Sequence, residues 1–248
     1  MSGGGWRYVA QALAALFVPD TCAACGRVLQ EGDCPPLCAA CRLDLSPTRW
    51  AGRADNPVEL LFRGRYPVAR AHAHYQYVHN TAGARAVLAF KYRHRPDVAR
   101  RLAAEAAAEL LSTGFFEGVD CLLPVPLALR RQWRRGYNQS MYLARGLQDV
   151  SGVPVWSGCV RRVADNPSQT HLTAAERRMN VSRIFRLTRR AWRLEGKHVM
   201  LVDDVLTTGA TMCALADEVM RAHPAQLSVF ALAVSPHVPN PHVADWTW

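Results

Sequence analysis

Hydrophobic and polar positions change between two periods as the chain runs on from its first third. Residues 69–78 alternate alanine and tyrosine with charged or polar side chains, which predicts a half-buried strand. The next segments have a helical period: 80–92, where Asn80 is the expected N-cap, and 97–112, which is rich in Ala, Glu and Leu. A strand followed by two helices is therefore expected here.

The alternation continues towards the C-terminus. A short apolar run at 119–125 predicts a second strand, and Asn138 is expected to begin a helix that ends near residue 147. Four apolar residues at 199–202, followed directly by acids, are typical of a buried parallel strand. The remaining predicted elements are strands at 183–187 and 227–234 and a helix at 208–221. Strands that alternate with helices predict a doubly wound α/β fold with a mainly parallel sheet.

The longest apolar run lies near the N-terminus, at residues 8–19, and is too short to cross a bilayer. A signal-peptide core is the alternative, but only one charge, Arg7, precedes the run, and no convincing cleavage site follows it. The spacing of its apolar residues favours a short amphipathic helix. We therefore expect a cytoplasmic protein without a membrane span.

Two C-x-x-C pairs follow this run, Cys22 with Cys25 and Cys38 with Cys41. Each pair brings two thiolates to one tight turn, and two such turns form a tetrahedral sulfur site for Zn²⁺. Because all four ligands are protein thiolates, the expected role is structural rather than catalytic. A redox C-x-x-C or unbound core cysteines are the alternatives, and Cys34 could replace Cys38 as a ligand.

The composition of the chain changes near residue 50. Residues 1–50 hold the N-terminal helix and the zinc module. A stretch rich in Pro, Gly and Arg, 51–67, is expected to link them to the main α/β domain, 68–248.

The chain of 248 residues carries a formal net charge of +10 and has a pI of about 9.6. Arginine supplies most of this excess and is clustered at several places, for example at 130–135. A basic excess suits phosphate-rich ligands, which include nucleotides, sugar pyrophosphates and nucleic acid.

Two adjacent acids and a turn rich in threonine follow the 199–202 strand. Asp203 and Asp204 lie where open α/β sheets bind ligands, at the carboxyl ends of the strands. The turn after them offers hydroxyl groups and free backbone N–H groups, which suit a phosphate. The carboxylates suit the ribose 2′- and 3′-hydroxyls, with Mg²⁺ reducing the charge nearby. The segment therefore predicts a ribose 5-phosphate site, with the phosphate on Thr207, Thr208, Gly209, Ala210 and Thr211.

Two other interpretations of this segment are less complete. An ordinary strand before a threonine-capped helix leaves the two neighbouring acids unexplained. An acid pair of the response-regulator kind gives no reason for the Thr-Thr-Gly turn.

The segment resembles the signature of type I phosphoribosyltransferases, and other blocks extend the resemblance to the ComF family, which joins a zinc ribbon to a phosphoribosyltransferase domain. The similarity covers residues ~20 to ~235, with one departure at Arg93-His94-Arg95, where many members carry a glycine. The matching blocks, in chain order, are Phe90-Lys91-Tyr92, Pro124-Val125-Pro126-Leu127, Arg135-Gly136-Tyr137-Asn138-Gln139, and the segment with Gln169, Leu172, Arg178, Asn180 and Phe185.

The resemblance implies roles for several of these residues. It makes Asp203 and Asp204 the catalytic acids of a site that binds phosphoribosyl pyrophosphate (PRPP) with Mg²⁺. A bystander role for Lys91 and a solvated helix end for the arginines are the alternatives. A mobile loop with Gln169, Arg178 and Asn180 could close over the site, although a surface loop without function is the alternative. The implied pyrophosphate-binding residues are Pro124, Val125, Pro126, Lys91, Arg134 and Arg135.

Two functions are compatible with this pattern. One is an enzyme that transfers a phosphoribosyl group to or from an unidentified base. The other is a non-catalytic module that binds single-stranded DNA or a nucleotide, since the family is tied to DNA uptake and natural transformation. A competence helicase is then an implied partner. No segment resembles the hood that selects a nucleobase in family enzymes, so no acceptor can be named.

Overall fold

The structure, a computed structural model, describes residues 20–163, 184–236 and 238. Its centre is a four-stranded sheet in which all neighbouring strands are parallel. Four strands form it: β1 (Val68–Gln76), β2 (Cys121–Pro124), β5 (His198–Leu206) and β6 (Gln226–Val234). Their order is β1-β6-β5-β2. A separate antiparallel pair consists of β3 (Val160–Arg162) and β4 (Phe185–Leu187).

Helices cover both faces of this sheet, so the predicted doubly wound, mainly parallel α/β fold is confirmed. A 3₁₀ helix, Arg189–Leu194, precedes β5. The α-helices are α1 (Ala39–Leu43), α2 (Pro57–Phe62), α3 (Ala82–Tyr92), α4 (Pro96–Leu111), α5 (Leu129–Arg135), α6 (Gln139–Ser151) and α7 (Ala210–Met220).

Alternate residues of the central strands point into two separate cores. Met200 and Val202 of β5 belong to the core beneath α3, α4 and α6. Leu201, between them, belongs to the core beneath α2 and α7. The two-residue period of a strand thus divides β5 between the two layers of helices.

Most predicted elements lie within a few residues of the observed ones, with two instructive differences. The N-cap of α3 is Thr81, whose side chain accepts a hydrogen bond from the N–H of Ala84, and not Asn80, which has a positive φ of 64°. The strand expected at 199–202 extends to Leu206, so the acids lie inside β5 rather than after it.

The stretch expected to be a linker, 51–67, contains helix α2. Asn56 caps this helix, because its Oδ1 accepts hydrogen bonds from the N–H groups of Val58 and Glu59. Val58 and Phe62 of the helix are completely buried against the sheet. The composition of this stretch predicted a linker, and it gave no sign that Val58 and Phe62 are core residues.

The cysteine module shares its core with the main domain. Leu37 and the buried cysteines belong to the same apolar cluster as α3 and α4. The Arg42 guanidinium forms two hydrogen bonds with the carboxylate of Glu105 on α4, at 2.8 and 3.0 Å. Among the described residues, no helix is long and apolar enough to cross a membrane. The predicted N-terminal helix at 8–19 lies outside those residues.

Candidate functional site

The two adjacent acids lie on β5 in a buried position. Asp203 is 9% exposed and Asp204 is 5% exposed. Successive residues of a strand point to opposite faces, yet both acids line one cavity because β5 is at its carboxyl end there. An acid in such a place needs hydrogen bonds or a counter-charge.

Asp203 is held by hydrogen bonds from two donors. Its Oδ1 accepts one from the hydroxyl of Ser140 at 3.0 Å and one from the backbone N–H of Asp204 at 2.8 Å. Burial, followed by the charge of Asp204, raises the pKa of Asp203 to about 7, and these hydrogen bonds and Lys91 only partly offset the rise. Near neutral pH this carboxyl group therefore exchanges between its two protonation states.

Asp204 has an ionic partner on one oxygen only. The ammonium group of Lys91 lies 2.9 Å from its Oδ1, and both side chains are largely buried. Its Oδ2 is buried without a hydrogen-bond partner among the described residues. The structure thus places Lys91, expected at the pyrophosphate, beside an acid.

A cavity of about 140 Å³ lies in front of the two acids. Three polar atoms of residues that line it are buried without a partner among the described residues: Asp204 Oδ2, Gln139 Oε1 and Arg135 Nε. Such atoms are rare in native proteins and frequently mark a ligand site. The lining residues are Lys91, Val125, Pro126, Leu127, Arg135, Gln139, Ser140, Arg162, Asp203, Asp204, Val205 and Thr211.

Seven residues predicted from the sequence therefore line one cavity: Lys91, Val125, Pro126, Arg135, Asp203, Asp204 and Thr211. Others do not line it. Pro124 is buried at the end of β2, and Arg134 is exposed on α5. Gln169, Arg178 and Asn180, predicted for a closing loop, lie outside the described residues.

Arg135 is fixed by an aromatic neighbour. Its guanidinium lies over the ring of Tyr92, 5.0 Å from the centroid, and donates a hydrogen bond to the Tyr92 hydroxyl at 3.4 Å. The residue is only 9% exposed. A buried cation held by stacking leaves donors for an anion in the cavity.

Within the block 135–139, Asn138 forms the hydrogen bonds that fix the backbone beside the cavity. Asn138 caps α6, since its Oδ1 accepts from the N–H of Ser140, and its Nδ2 donates to the carbonyl of Val125 at 3.0 Å. One side chain thus joins the start of α6 to the loop after β2. Two residues follow Asn138 at the start of α6: Gln139, which lines the cavity, and Ser140, whose hydroxyl donates to Asp203. The charge pattern could not reveal either of them, because neither is charged.

The turn after β5 leads into α7. Thr207, Thr208 and Ala210 are exposed, and the N-cap residue of the helix is Gly209, which has no side chain. Gly209 has a φ of 74°, and a Cβ there would lie 2.4 Å from Leu61 Cδ2. Glycine is therefore needed for the backbone conformation and for contact with α2. The N–H of Ala210 donates to the Thr208 hydroxyl at 3.4 Å, and the N–H groups that follow in the first turn of α7 have no acceptor within the helix and suit an anion.

Four cysteines form the predicted cluster. The sulfur atoms of Cys22, Cys25, Cys38 and Cys41 all lie within 4.8 Å of one another, and Cys34 is not among them. Burial opposes ionisation of Cys22, but backbone N–H groups, first that of Cys38, outweigh it and lower the pKa to about 6. The cluster could hold a metal ion.

Comparison with known proteins defines the class of the chain. Residues 134–247 match the family described as Phosphoribosyl transferase domain. The chain therefore contains a phosphoribosyltransferase domain preceded by a four-cysteine cluster.

The curated relatives point to one group of proteins. The chain is 35% identical over 145 residues to DNA utilization protein YhgH of Salmonella typhi, a match that covers 57% of this chain and 63% of the relative. It is 35% identical over 114 residues to Competence protein F of Haemophilus influenzae, covering 46% and 50%. The chain thus spans less than two thirds of these relatives. They are its homologues, and the predicted resemblance to the ComF family is confirmed.

Solved structures were also found. Glutamine PRPP amidotransferase from B. subtilis is 18% identical, with a TM-score of 0.40 over 59% of this chain and 30% of that chain. Trypanosoma cruzi hypoxanthine phosphoribosyl transferase is 21% identical, with a TM-score of 0.36 over 62% and 72%.

Proposed function

We propose that the cavity in front of Asp203 and Asp204 binds a ribose 5-phosphate, that of PRPP. One observation carries this proposal: three buried polar atoms that have no partner within the described part of the chain belong to residues that line one small cavity. Two of them, Asp204 Oδ2 and Gln139 Oε1, accept hydrogen bonds and so need hydroxyl or amine donors from a ligand. Arg135 Nε donates and needs an acceptor. A phosphorylated sugar offers both.

The turn after β5 and the two acids would bind different parts of this ligand. The 5-phosphate would accept hydrogen bonds from the N–H groups at the start of α7, where the helix dipole also favours an anion. The ribose hydroxyls would donate to Asp203 and Asp204. The pyrophosphate would then lie by Val125, Pro126 and Arg135, on the loop that Asn138 holds.

In this proposal Mg²⁺ binds together with PRPP and not to the two acids alone. The two acids alone are a poor cation site, because Lys91 already neutralises Asp204 and burial keeps Asp203 partly protonated. Mg²⁺ bound to a pyrophosphate would reduce the repulsion between PRPP and the acids. Lys91 and Arg135 would remain as fixed cations for the pyrophosphate.

The reaction that fits is transfer of the phosphoribosyl group to an unidentified acceptor. The bond from the anomeric carbon to pyrophosphate would break, and pyrophosphate would leave with the bonding electrons. Fixed cations stabilise the charge that develops on it. An acceptor nitrogen would then bond to the same carbon.

Calorimetry with PRPP and Mg²⁺ tests the binding step. Asp203→Asn combined with Asp204→Asn should weaken PRPP binding at least tenfold, roughly the effect of 1.4 kcal/mol. The control is Asp149→Asn, which removes an exposed acid that pairs with Arg100 on the helical surface. Unchanged PRPP affinity in the double variant would refute the site. Release of pyrophosphate in the presence of candidate bases tests the transfer step.

We further propose that the four thiolates bind Zn²⁺ in a structural role, since four sulfur ligands leave no open position. Free thiolates must stay reduced to bind metal, so a cytoplasmic location belongs to this proposal. Metal analysis of the purified protein, compared with Cys25→Ser, tests it. An equal zinc content in both proteins would contradict it.

A second function, binding of single-stranded DNA, is supported by the surface near the cavity. Trp133 is 88% exposed and Tyr92 is 56% exposed, and the cations Arg93 and Arg134 are exposed as well. Aromatic rings among cations are typical of single-strand binding. The names of the relatives, DNA utilization protein and Competence protein, support an association with DNA uptake. A competence helicase would then be a partner.

The salt dependence of binding to an oligonucleotide tests this second function. A phosphate-backbone mode requires affinity to fall steeply as salt rises. Trp133→Ala should weaken binding about fivefold or more at every salt concentration, since a stacked base contributes roughly 1–3 kcal/mol. A flat salt dependence would exclude the proposal.

A further inference from the structure

A second, larger cavity lies at the opposite edge of the sheet. It has a volume of about 300 Å³ and lies between the loop 50–56, helix α2 and the first half of β1, and Thr113 and Phe115 close one end. We call it the β1-edge cavity. The cavity borders β1, one edge strand of the sheet, whereas the cavity in front of Asp203 borders β5 and the loop after β2, the other edge strand. The two cavities share no lining residue.

Hydrogen bonds and close packing within the protein fix the conformation of the loop 50–56 that borders this cavity. The Nδ2 of Asn56 donates to the carbonyl of Ala71 on β1 at 2.8 Å and to that of Arg53 at 3.1 Å. Gly52 has a φ of 69°, and a Cβ there would lie 3.2 Å from Thr113 Cγ2. A preformed cavity spares a ligand the entropy cost of ordering it.

Three arginines are among the residues that line the β1-edge cavity: Arg53, Arg63 and Arg70. Arg63 forms an ion pair with the exposed Asp55. Arg70 donates a hydrogen bond to the carbonyl of Gly114 and lies 3.6 Å from the exposed Glu117. The guanidinium of Arg53 forms no hydrogen bond or ion pair with the residues that the structure describes. Guanidinium groups match the oxygens of a phosphate in pairs. This lining favours a phosphorylated ligand.

The single acid of the lining is committed to the backbone. Glu59 accepts hydrogen bonds from the N–H of Asp55 at 2.7 Å and from the N–H of Ala71 at 3.3 Å. These contacts cover part of the outer edge of β1. Burial raises the pKa of Glu59, which reduces its repulsion of an anion.

Aromatic side chains supply the rest of the wall. Trp50 is half-buried, and Phe115 packs edge-on against the buried ring of His72. A planar ring of a ligand could stack on the indole of Trp50. The volume is at the small end of the range for organic ligands, which suits a single nucleotide rather than a longer molecule.

We propose that the β1-edge cavity binds a nucleoside monophosphate, with its phosphate on the three guanidinium groups and its base against Trp50. The proposal does not depend on PRPP binding at the other cavity. It assigns a ligand to a cavity that no predicted site residue lines.

The test uses AMP as the probe and removes the other cavity as a competitor. In the Asp203→Asn, Asp204→Asn background, calorimetry should show one equivalent of AMP bound. Adding Arg53→Gln should weaken this binding about tenfold, the effect of losing roughly 1.4 kcal/mol. The matched control is Arg101→Gln, which removes an exposed arginine of α4 that does not line the cavity.

Three outcomes would overturn the proposal: no AMP binding in that background, an equal loss with Arg101→Gln, or inorganic phosphate binding as tightly as AMP. The last two would indicate general attraction of anions to a basic protein. PRPP affinity is measured for Arg53→Gln in the otherwise unchanged chain and should not change. Loss of PRPP binding in the acid variants alone therefore tests the other cavity separately.

Discussion

Asp203 and Asp204 put two carboxyl groups on adjacent residues of a buried strand, which a fold selected for stability alone would avoid. The pKa of Asp203 is raised from 3.8 to about 7 by burial and by the charge of Asp204. Between these two values the folded protein binds a proton that the unfolded chain releases. The stability that this proton brings is present at low pH and is lost as the pH rises through about 7.

Asp203→Asn should therefore stabilise the protein, and the gain should grow as the pH rises towards 7. At pH 5.5 the folded protein still holds the proton that the unfolded chain has released, and we expect a gain of about 2 kcal/mol in the free energy of unfolding. At pH 8.5 the variant also removes a buried charge, and we expect the gain to be about 2 kcal/mol larger. Urea unfolding at both pH values measures the difference. A gain of the same size at both values would contradict the raised pKa.

Gln139 is an uncharged residue that, like the two acids, is expected to serve a ligand at the expense of stability. Its Oε1 is buried and has no partner in residues 20–163 and 184–236, so Gln139→Leu should leave the free energy of unfolding unchanged or raise it. If this oxygen receives a hydrogen bond from PRPP, the same variant should bind PRPP about tenfold more weakly. Unfolding in urea and calorimetry together measure both effects. Weaker folding with unchanged PRPP binding would show that Gln139 is a structural residue only.

Elements pack most closely where α4 crosses α6. A Cβ on Gly146 of α6 would lie 2.1 Å from the carbonyl oxygen of Arg100 and 2.9 Å from the Cβ of Ala103. Glycine is there because the two helix backbones touch, and the helix geometry itself does not require it. Neither group can move without displacing a helix.

Gly146→Ala should accordingly destabilise the protein by about 3 kcal/mol, since overpacking outweighs the better helix propensity of alanine. Gly83→Ala on α3 is the matched control, because a Cβ there meets its nearest neighbour at 3.7 Å, an ordinary contact. That variant should be neutral or more stable. Urea unfolding of the two variants measures the contrast, and equal stabilities would refute the close approach.

The order of elements could be predicted from the sequence because hydrophobic periodicity records which face of each element is buried. Asp203 and Asp204 could be predicted for a related reason, because two acids directly after an apolar strand stand out. Lys91, near the end of a helix, was expected only from the resemblance to the ComF family. The roles of Gln139 and Ser140 could not, because uncharged polar residues at a helix start look the same whether they cap, pack or bind. Helix α2 was missed because its Pro, Gly and Arg neighbours are typical of loops. The contacts that give these residues their roles join positions far apart in the sequence, so they leave no local pattern.

At the scale of the whole molecule, the cysteine cluster and the phosphoribosyltransferase domain behave as one body. The cluster has little apolar surface of its own, and Cys38 and Leu37 complete a core that continues into α3 and α4. Arg42 and Glu105 add a two-bond ion pair across the junction. Metal bound by the cysteines would therefore stabilise more than the cluster itself.

Removal of one metal-binding cysteine should then lower the melting temperature of the whole chain, which should still unfold in a single transition. Zinc binding contributes on the order of 10 kcal/mol to modules of this kind, and a shared core spreads that energy over the elements packed on it. Cys25→Ser should lower the melting temperature seen by circular dichroism and quicken amide exchange in α4. Cys34→Ser, which changes an exposed cysteine outside the cluster, should alter neither. If Cys25→Ser instead left the main transition in place and released only residues 20–45, the cluster would be an independent module, and the apolar contacts between Leu37 and α4 would be too weak to couple them.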